Sequence, residues 1–147
     1  MSGYLLDTNV VSDLAPGKPG VSKLFAAWMQ HQGQQNGLFI SSITVSEIKK
    51  GVSKLRRSGA ERRADALDVW LSDLVFNFAD RILPIDVAVA LAAGEMADAA
   101  TAKGRDPGFA DILIAATANA HGLTLVTRNI KHFENLDVAT QRPAGNA

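Results

Sequence analysis

The sequence predicts an α/β protein in which helices cover both faces of a mainly parallel, doubly wound sheet, giving a three-layer α/β/α sandwich. Short apolar runs of β-type alternate along the chain with longer stretches of helical periodicity, and this order is typical of βαβ units. The first run, Tyr4 to Leu6, stops at Asp7, as a buried strand does at its end. Parallel sheets are covered on both faces, and their ligands lie beyond the carboxyl ends of the strands.

Five short segments are predicted to be strands. Each is a run of apolar or β-branched residues that ends at a polar or turn-forming residue. The third contains Pro84, which has no N–H group to donate to a neighbouring strand, so it is expected at an edge of the sheet. The predicted strands are residues 4–6, 38–40, 82–85, 123–127 and 137–140.

Six helical segments are predicted between these strands. Residues 60–78 have the clearest pattern, with apolar side chains at steps of three and four. Asp86 precedes an alanine-rich helix and is expected to be its N-cap. Residues 109–120 are apolar nearly all round, which indicates a buried helix, and Gly122 follows its end. The predicted helices are residues 9–14, 21–30, 43–55, 60–78, 86 to about 104, and 109–120.

Length and composition indicate one domain, predicted over residues 1–142 and followed by a flexible tail over residues 143–147. The chain has 147 residues, of which 47% are hydrophobic and 20% are charged, a balance typical of globular domains. No apolar run reaches the roughly 18 residues that cross a bilayer, and no signal sequence is apparent, so we expect a cytoplasmic protein without a membrane partner. Cysteine is absent, which excludes disulfides, iron–sulfur clusters and cysteine zinc sites.

The charges balance, with 15 basic and 15 acidic side chains. Any surface that binds nucleic acid through its phosphates must therefore be local. The basic residues between 49 and 63 are the candidates, although each of them taken singly is better explained as part of a solvated helix surface. The large aromatic side chains of Trp28, Trp70 and Phe76 are expected in the core rather than on a partner surface.

Three carboxylates lie where a parallel sheet would bring them to one edge. Asp7 follows the first strand, Glu47 lies in the first turns of the helix after the second, and Asp111 begins the buried helix before the fourth. Helix capping explains Asp7 equally well, and favourable interaction with a helix dipole explains the other two. A carboxylate beside so apolar a helix as residues 109–120 nevertheless needs hydrogen bonds or a metal ion.

Together these acids would suit Mg²⁺ or Mn²⁺. Both ions prefer hard oxygen ligands, and carboxylates crowded together repel one another unless a cation lies between them. A bound ion lowers the pKa of its water and stabilises charge on a phosphodiester during hydrolysis. The three histidines of the chain do not pair with a plausible serine nucleophile.

Four motifs around these acids resemble those of the PIN-domain family, in particular its VapC/FitB-like toxins of bacterial toxin–antitoxin pairs. The opening motif contains Asp7-Thr8-Asn9, and the second has the pattern Ser-x-x-Thr-x-x-Glu ending at Glu47. Residues 82–86 also have a counterpart there. The four motifs, which follow in the family's order and span almost the whole chain, are residues 5–12, 40–48, 109–118 and 125–133.

The resemblance implies an α/β/α sandwich that forms a homodimer and acts as an Mg²⁺- or Mn²⁺-dependent endoribonuclease, held inactive by a cognate antitoxin. It makes Asp7, Glu47 and Asp111 the catalytic, metal-binding acids, and it implies that Thr8 and Thr127 orient them. The fourth motif often supplies another acid where this chain has Asn129 or His132. Asn129 is therefore expected to be at most a weak, neutral metal ligand.

Other interpretations remain open at this stage. The replacement of an acid by Asn129 would also suit a degenerate module that binds RNA or an antitoxin without cleaving. A phosphoryl-transfer enzyme is disfavoured, because dehalogenase-like phosphatases need an aspartate where this chain has Asn9. His132 is expected to be a plain surface residue, and Asp106 is expected to belong to a turn.

Overall fold

The computed structural model describes residues 3–144 and has a five-stranded sheet in the order β3-β2-β1-β4-β5. All four pairs of neighbouring strands are parallel, which confirms the predicted sheet. The strands are β1 (Tyr4–Leu6), β2 (Leu38–Ser41), β3 (Ile82–Leu83), β4 (Thr124–Val126) and β5 (Thr140–Gln141). The chain builds outward from β1 to β3 and then continues on the other side of β1, so the order reverses between β1 and β4. Ligands of doubly wound sheets bind at such a reversal.

Seven α-helices surround the sheet within the described residues, and a 3-10 turn at Ala79–Arg81 follows the fourth. One core lies on each face of the sheet, because successive side chains of a strand point to opposite faces. Leu5 and Leu125 belong to the core shared with the fifth and sixth helices, whereas Leu6 and Val126 belong to the core on the other face. The helices are α1 (Thr8–Ser12), α2 (Lys23–Gln34), α3 (Ser42–Arg57), α4 (Glu61–Phe78), α5 (Val87–Ala102), α6 (Phe109–Ala120) and α7 (Ile130–Phe133).

Local signals for the ends of elements were mostly correct. The Asp86 carboxylate accepts a hydrogen bond from the Val89 N–H at 3.0 Å, so Asp86 is the N-cap of α5. Strand β3 lies at an edge of the sheet, as the proline predicted, but it ends at Leu83 rather than at residue 85, because Pro84 has no N–H group to continue the ladder.

The fifth strand lies later in the chain than predicted, at Thr140–Gln141 rather than residues 137–140. The reason is a side-chain contact: Asn119 Nδ2 donates to the backbone carbonyl of Asp137 at 2.7 Å. That carbonyl is therefore bound to the end of α6 and is not in the sheet. Helix α7, a single turn after β4, was not predicted.

The expectation that Phe76 belongs to the core was wrong, since 83% of this residue is exposed. Helix α4 buries Leu71 and Leu74, and a residue two positions beyond Leu74 points to the opposite side of a helix. Trp28 and Trp70 are half-buried. Within residues 3–144, no helix combines the length and the apolar character that a membrane crossing requires.

The predicted tail begins at Pro143, and its residues 145–147 lie outside the described part of the chain. Pro143 is buried, and the Ala144 carbonyl accepts a hydrogen bond from Ser22 Oγ at 3.0 Å. The flexible tail stays a prediction.

Candidate active site at the carboxyl ends of the strands

Asp7 lies at the reversal of the sheet, directly after β1. Its backbone N–H continues the ladder by donating to the Val126 carbonyl at 2.9 Å, which places the side chain between the ends of β1 and β4. Both carboxylate oxygens accept hydrogen bonds, Oδ1 from the Thr8 N–H at 2.8 Å and Oδ2 from Thr127 Oγ1 at 2.7 Å. Asp7 is thus the N-cap of α1 and also a buried acid, only 4% exposed.

Burial is the main cause of a raised pKa at Asp7, because a charged carboxylate loses solvation there. The hydrogen bonds from Thr127 and Thr8 oppose this shift by stabilising the charged form. Asp111 and Glu47 lie close enough for their negative charges to raise the pKa further. The structure thus brings the three predicted acids into one electrostatic cluster that disfavours full ionisation.

Glu47 lies in the second turn of α3, a helix capped by Ser41 at the end of β2. Its Oε1 accepts a hydrogen bond from Thr8 Oγ1 at 2.6 Å, and Thr8 Oγ1 also lies 2.9 Å from Thr44 Oγ1. Thr44 is fully buried, so it fixes one end of this series of hydrogen bonds. Thr8 therefore joins α1 to α3 and holds Glu47 on the side of Asp7.

Asp111 lies in the first turn of α6, and its side chain is 29% exposed. Its Oδ2 is 3.3 Å from His132 Nδ1 on α7. His132 is exposed, as expected of a surface residue, yet it also contacts the acidic cluster, which the sequence interpretation did not anticipate. The available signal was its position in the fourth motif, where an acid is common.

Asn129 lies beside the cluster, but its observed contact is made by the backbone. Its N–H donates to Thr127 Oγ1 at 3.0 Å, so it holds the hydroxyl that contacts Asp7. Asp106 is exposed and lines a cavity together with Asp111 and His132.

Sequence interpretation also missed an ion pair between the fourth motif and Asp13, the residue directly after the first motif. Arg128 Nε lies 2.8 Å from Asp13 Oδ2, and the Arg128 N–H donates to Asn9 Oδ1 at 3.4 Å. Nothing local to either residue predicts this pair.

Among the residues that the structure describes, no three Asp, Glu or His side chains lie close enough to form a ready-made metal site. The chemistry of the donors nonetheless fits a hard divalent cation, since all three acids offer oxygen. Mg²⁺ often binds to only one or two carboxylates and keeps several of its waters. Asp7, Glu47 and Asp111 are therefore the residues that would hold such an ion, in part through water.

The predicted basic stretch is partly neutralised by a neighbouring helix. Lys49 and Arg56 on α3 form ion pairs with Asp68 on α4 at 2.7 and 2.8 Å, and Arg56 also pairs with Asp65 at 2.8 Å. These two cations are therefore committed to the contact between α3 and α4.

Comparison with known proteins is consistent with this fold. The family model described as PIN domain matches residues 4–139. The chain is 35% identical to Toxin FitB of Neisseria gonorrhoeae, over 95% of this chain and 96% of that protein. It is 33% identical to VapC ribonuclease Y4jK of Sinorhizobium fredii, over 88% and 89%. The crystal structure of FitAcB from Neisseria gonorrhoeae superimposes with a TM-score of 0.81 at 34% identity, covering 97% of this chain and 99% of that one.

Proposed function

The chain belongs to the PIN-domain family, and from this we propose that it is the ribonuclease toxin of a toxin–antitoxin pair. Two of its relatives are named as a toxin and as a ribonuclease. We further propose that it hydrolyses RNA phosphodiester bonds with Mg²⁺ or Mn²⁺, in the cytoplasm. The observation that carries the proposal is that Asp7 is buried beside two other acids. Burial raises the pKa of Asp7, and the charges of Asp111 and Glu47 raise it further.

Each acid has a defined supporting contact. Thr127 and Thr8 orient the two oxygens of Asp7, and Thr8 also orients Glu47. Asp111 reaches the cluster from the start of α6. When bound, the cation would supply a water of lowered pKa and stabilise the charge that develops on the phosphodiester. The chain's own part is to keep three carboxylates preorganised at the end of the sheet, with Asn129 as a weak, neutral donor.

The test is RNA cleavage by purified protein with Mg²⁺, with Mn²⁺ and with a chelator. Asp7→Asn removes the central charge and is expected to lower cleavage at least a hundredfold. Asp86→Asn is the matched control, because Asp86 caps α5 and asparagine caps helices equally well. Full cleavage by Asp7→Asn would refute the assignment. Metal-independent RNA binding without cleavage by the wild type would favour a degenerate binding module.

We also propose a cognate antitoxin as partner, seated in a groove that opens beside Glu47. The groove has a volume of about 220 Å³ and is lined by apolar side chains, including Leu55, Leu67 and Trp70. A partner there would cover one wall of the acidic cluster and block RNA. Co-purification with the product of an adjoining gene tests this, with loss of the complex expected for Trp70→Ala.

The proposed homodimer has a candidate surface of its own. Val87 and Leu91 on α5 and Phe109 on α6 are between 68% and 75% exposed, which is unusual for large apolar side chains. Light scattering of the purified toxin is expected to give twice the mass of the chain, 15.6 kDa, and Leu91→Glu is expected to give the monomer. A monomeric wild type would contradict the proposal.

A further inference from the structure

A cavity of about 340 Å³ opens beside Asp111 and shares no lining residue with the groove beside Glu47. One wall is the segment before α6, which includes Arg105, and the other is α7 with Lys131 and His132. Leu136, which is buried, contributes an apolar surface. The volume falls within the range of about 300–1,000 Å³ that small-ligand sites have.

The cations of this cavity are not committed to other parts of the protein. Within residues 3–144, neither Arg105 nor Lys131 has a carboxylate oxygen within 4.0 Å of its charged nitrogens. Lys49 and Arg56, by contrast, are paired across α3 and α4. Unpaired cations that converge on a concave surface attract anions, because the positive potential is concentrated there.

His132 connects the cavity with the acidic cluster. Its ring lines the cavity, and its Nδ1 lies 3.3 Å from Asp111 Oδ2. An extended polyanion that passes from the acids into this cavity would meet Arg105 and Lys131. Asp106 and Asp111 also line the cavity, so its two cations face two carboxylates. A cation bound at Asp111 would offset one of these negative charges and leave Arg105 and Lys131 in excess.

We propose that this cavity binds the phosphate of the nucleotide adjoining the cleaved bond, with Arg105 and Lys131 as its charged ligands. The inference rests on the proposed function, since it takes RNA as the substrate and the acidic cluster as the cleavage centre. It assigns these cations to substrate binding, away from the chemical step. Their removal should therefore raise KM and leave kcat nearly unchanged.

The experiment combines a protein variant with a modified RNA. The bond that the wild type cleaves in a twelve-nucleotide RNA is mapped first. The RNA is then made with one neutral methylphosphonate linkage immediately on the 5′ or the 3′ side of that bond. Arg105→Gln/Lys131→Gln is expected to raise KM for the unmodified RNA roughly tenfold, with kcat within about twofold. At one of the two positions, the neutral linkage should raise the wild-type KM by about the same factor as the double substitution does, and it should not raise the KM of the double variant any further.

The matched control is Lys23→Gln/Lys103→Gln, which removes the same charge from two exposed side chains outside both cavities and outside the basic stretch between residues 49 and 63. Equal effects of the two double variants would overturn the proposal, because attraction would then be diffuse. A cavity variant that cleaves RNA with the wild-type KM would also overturn the proposal, even if this variant no longer bound the antitoxin. An effect of the neutral linkage that simply adds to the variant's would also refute direct contact.

A binding measurement separates this inference from the proposed function. In an Asp7→Asn background, fluorescence anisotropy with the same RNA, fluorescein-labelled, is expected to show a roughly tenfold weaker Kd for the cavity variant than for the control. If the wild type cleaves no RNA, the proposed function fails, and the anisotropy result still decides the phosphate site. Equal Kd values would overturn it.

Discussion

Thr127→Val tests how the buried acid is held. Thr127 is fully buried, and its Oγ1 donates to Asp7 Oδ2 at 2.7 Å. Thr127 Oγ1 also accepts a hydrogen bond from the Asn129 N–H at 3.0 Å. Valine has nearly the same shape and can make neither bond. The substitution therefore changes polar contacts at the acidic cluster while leaving the packing largely intact.

The expected loss follows from these two bonds. A hydrogen bond to a charged group contributes about 1.5–3 kcal/mol, and a neutral one about 1 kcal/mol. Thr127→Val should thus lower the free energy of unfolding by roughly 2.5–4 kcal/mol at a pH where Asp7 is charged. At roughly 3 °C per kcal/mol for a chain of this length, Tm should fall by roughly 7–12 °C.

Thr117→Val is the matched control, since Thr117 is also fully buried. Its hydroxyl donates at 2.7 Å to the Leu113 carbonyl, which keeps its helical backbone partner after the change. The control should cost no more than about 1 kcal/mol. Urea denaturation of both variants measures the difference.

The dependence on pH provides a second check. The hydrogen bond from Thr127 lowers the pKa of Asp7, so its loss destabilises the charged form. The extra cost of Thr127→Val should be present above the pKa of Asp7 and shrink as pH falls through it. Equal costs for the two threonine variants at every pH would refute the reasoning.

Three further substitutions test the acidic cluster, a helix cap and the backbone. Because the folded-state pKa of Asp7 is raised from its ordinary value of 3.8, the metal-free wild type should lose stability as the pH rises from 3.8 through the raised pKa. Asp7→Asn should lack this loss when urea denaturation is measured across pH. It should also lack the Tm increase that Mn²⁺ gives the wild type. Asp86→Ala removes the cap of α5 and should lower the free energy of unfolding by about 1 kcal/mol with RNA cleavage unchanged. Ala79→Gly should instead gain about 1 kcal/mol in the same assay, because Ala79 has a φ of 47° that favours glycine.

Patterns along the chain predicted the parallel sheet, the edge position of β3, the capping role of Asp86 and the order of the three acids. These features depend on local physics: apolar periodicity, a missing N–H group in proline, and a short side chain that caps a helix. The sequence motifs also predicted the family, which the PIN-domain match over residues 4–139 confirmed. Placing the acids at strand and helix ends predicted one shared edge, because parallel strands end together.

Only the tertiary structure decided which atoms meet at that edge. The contacts of Thr8 with Glu47, Thr127 with Asp7, and His132 with Asp111 join residues separated by 39, 120 and 21 positions. Such pairs depend on how α3, α6 and α7 pack against the sheet. The same is true of the shifted β5, the exposed Phe76 and the cavity with Arg105 and Lys131. Periodicity determines which face of an element is apolar, but distances between side chains are fixed only when the elements pack together.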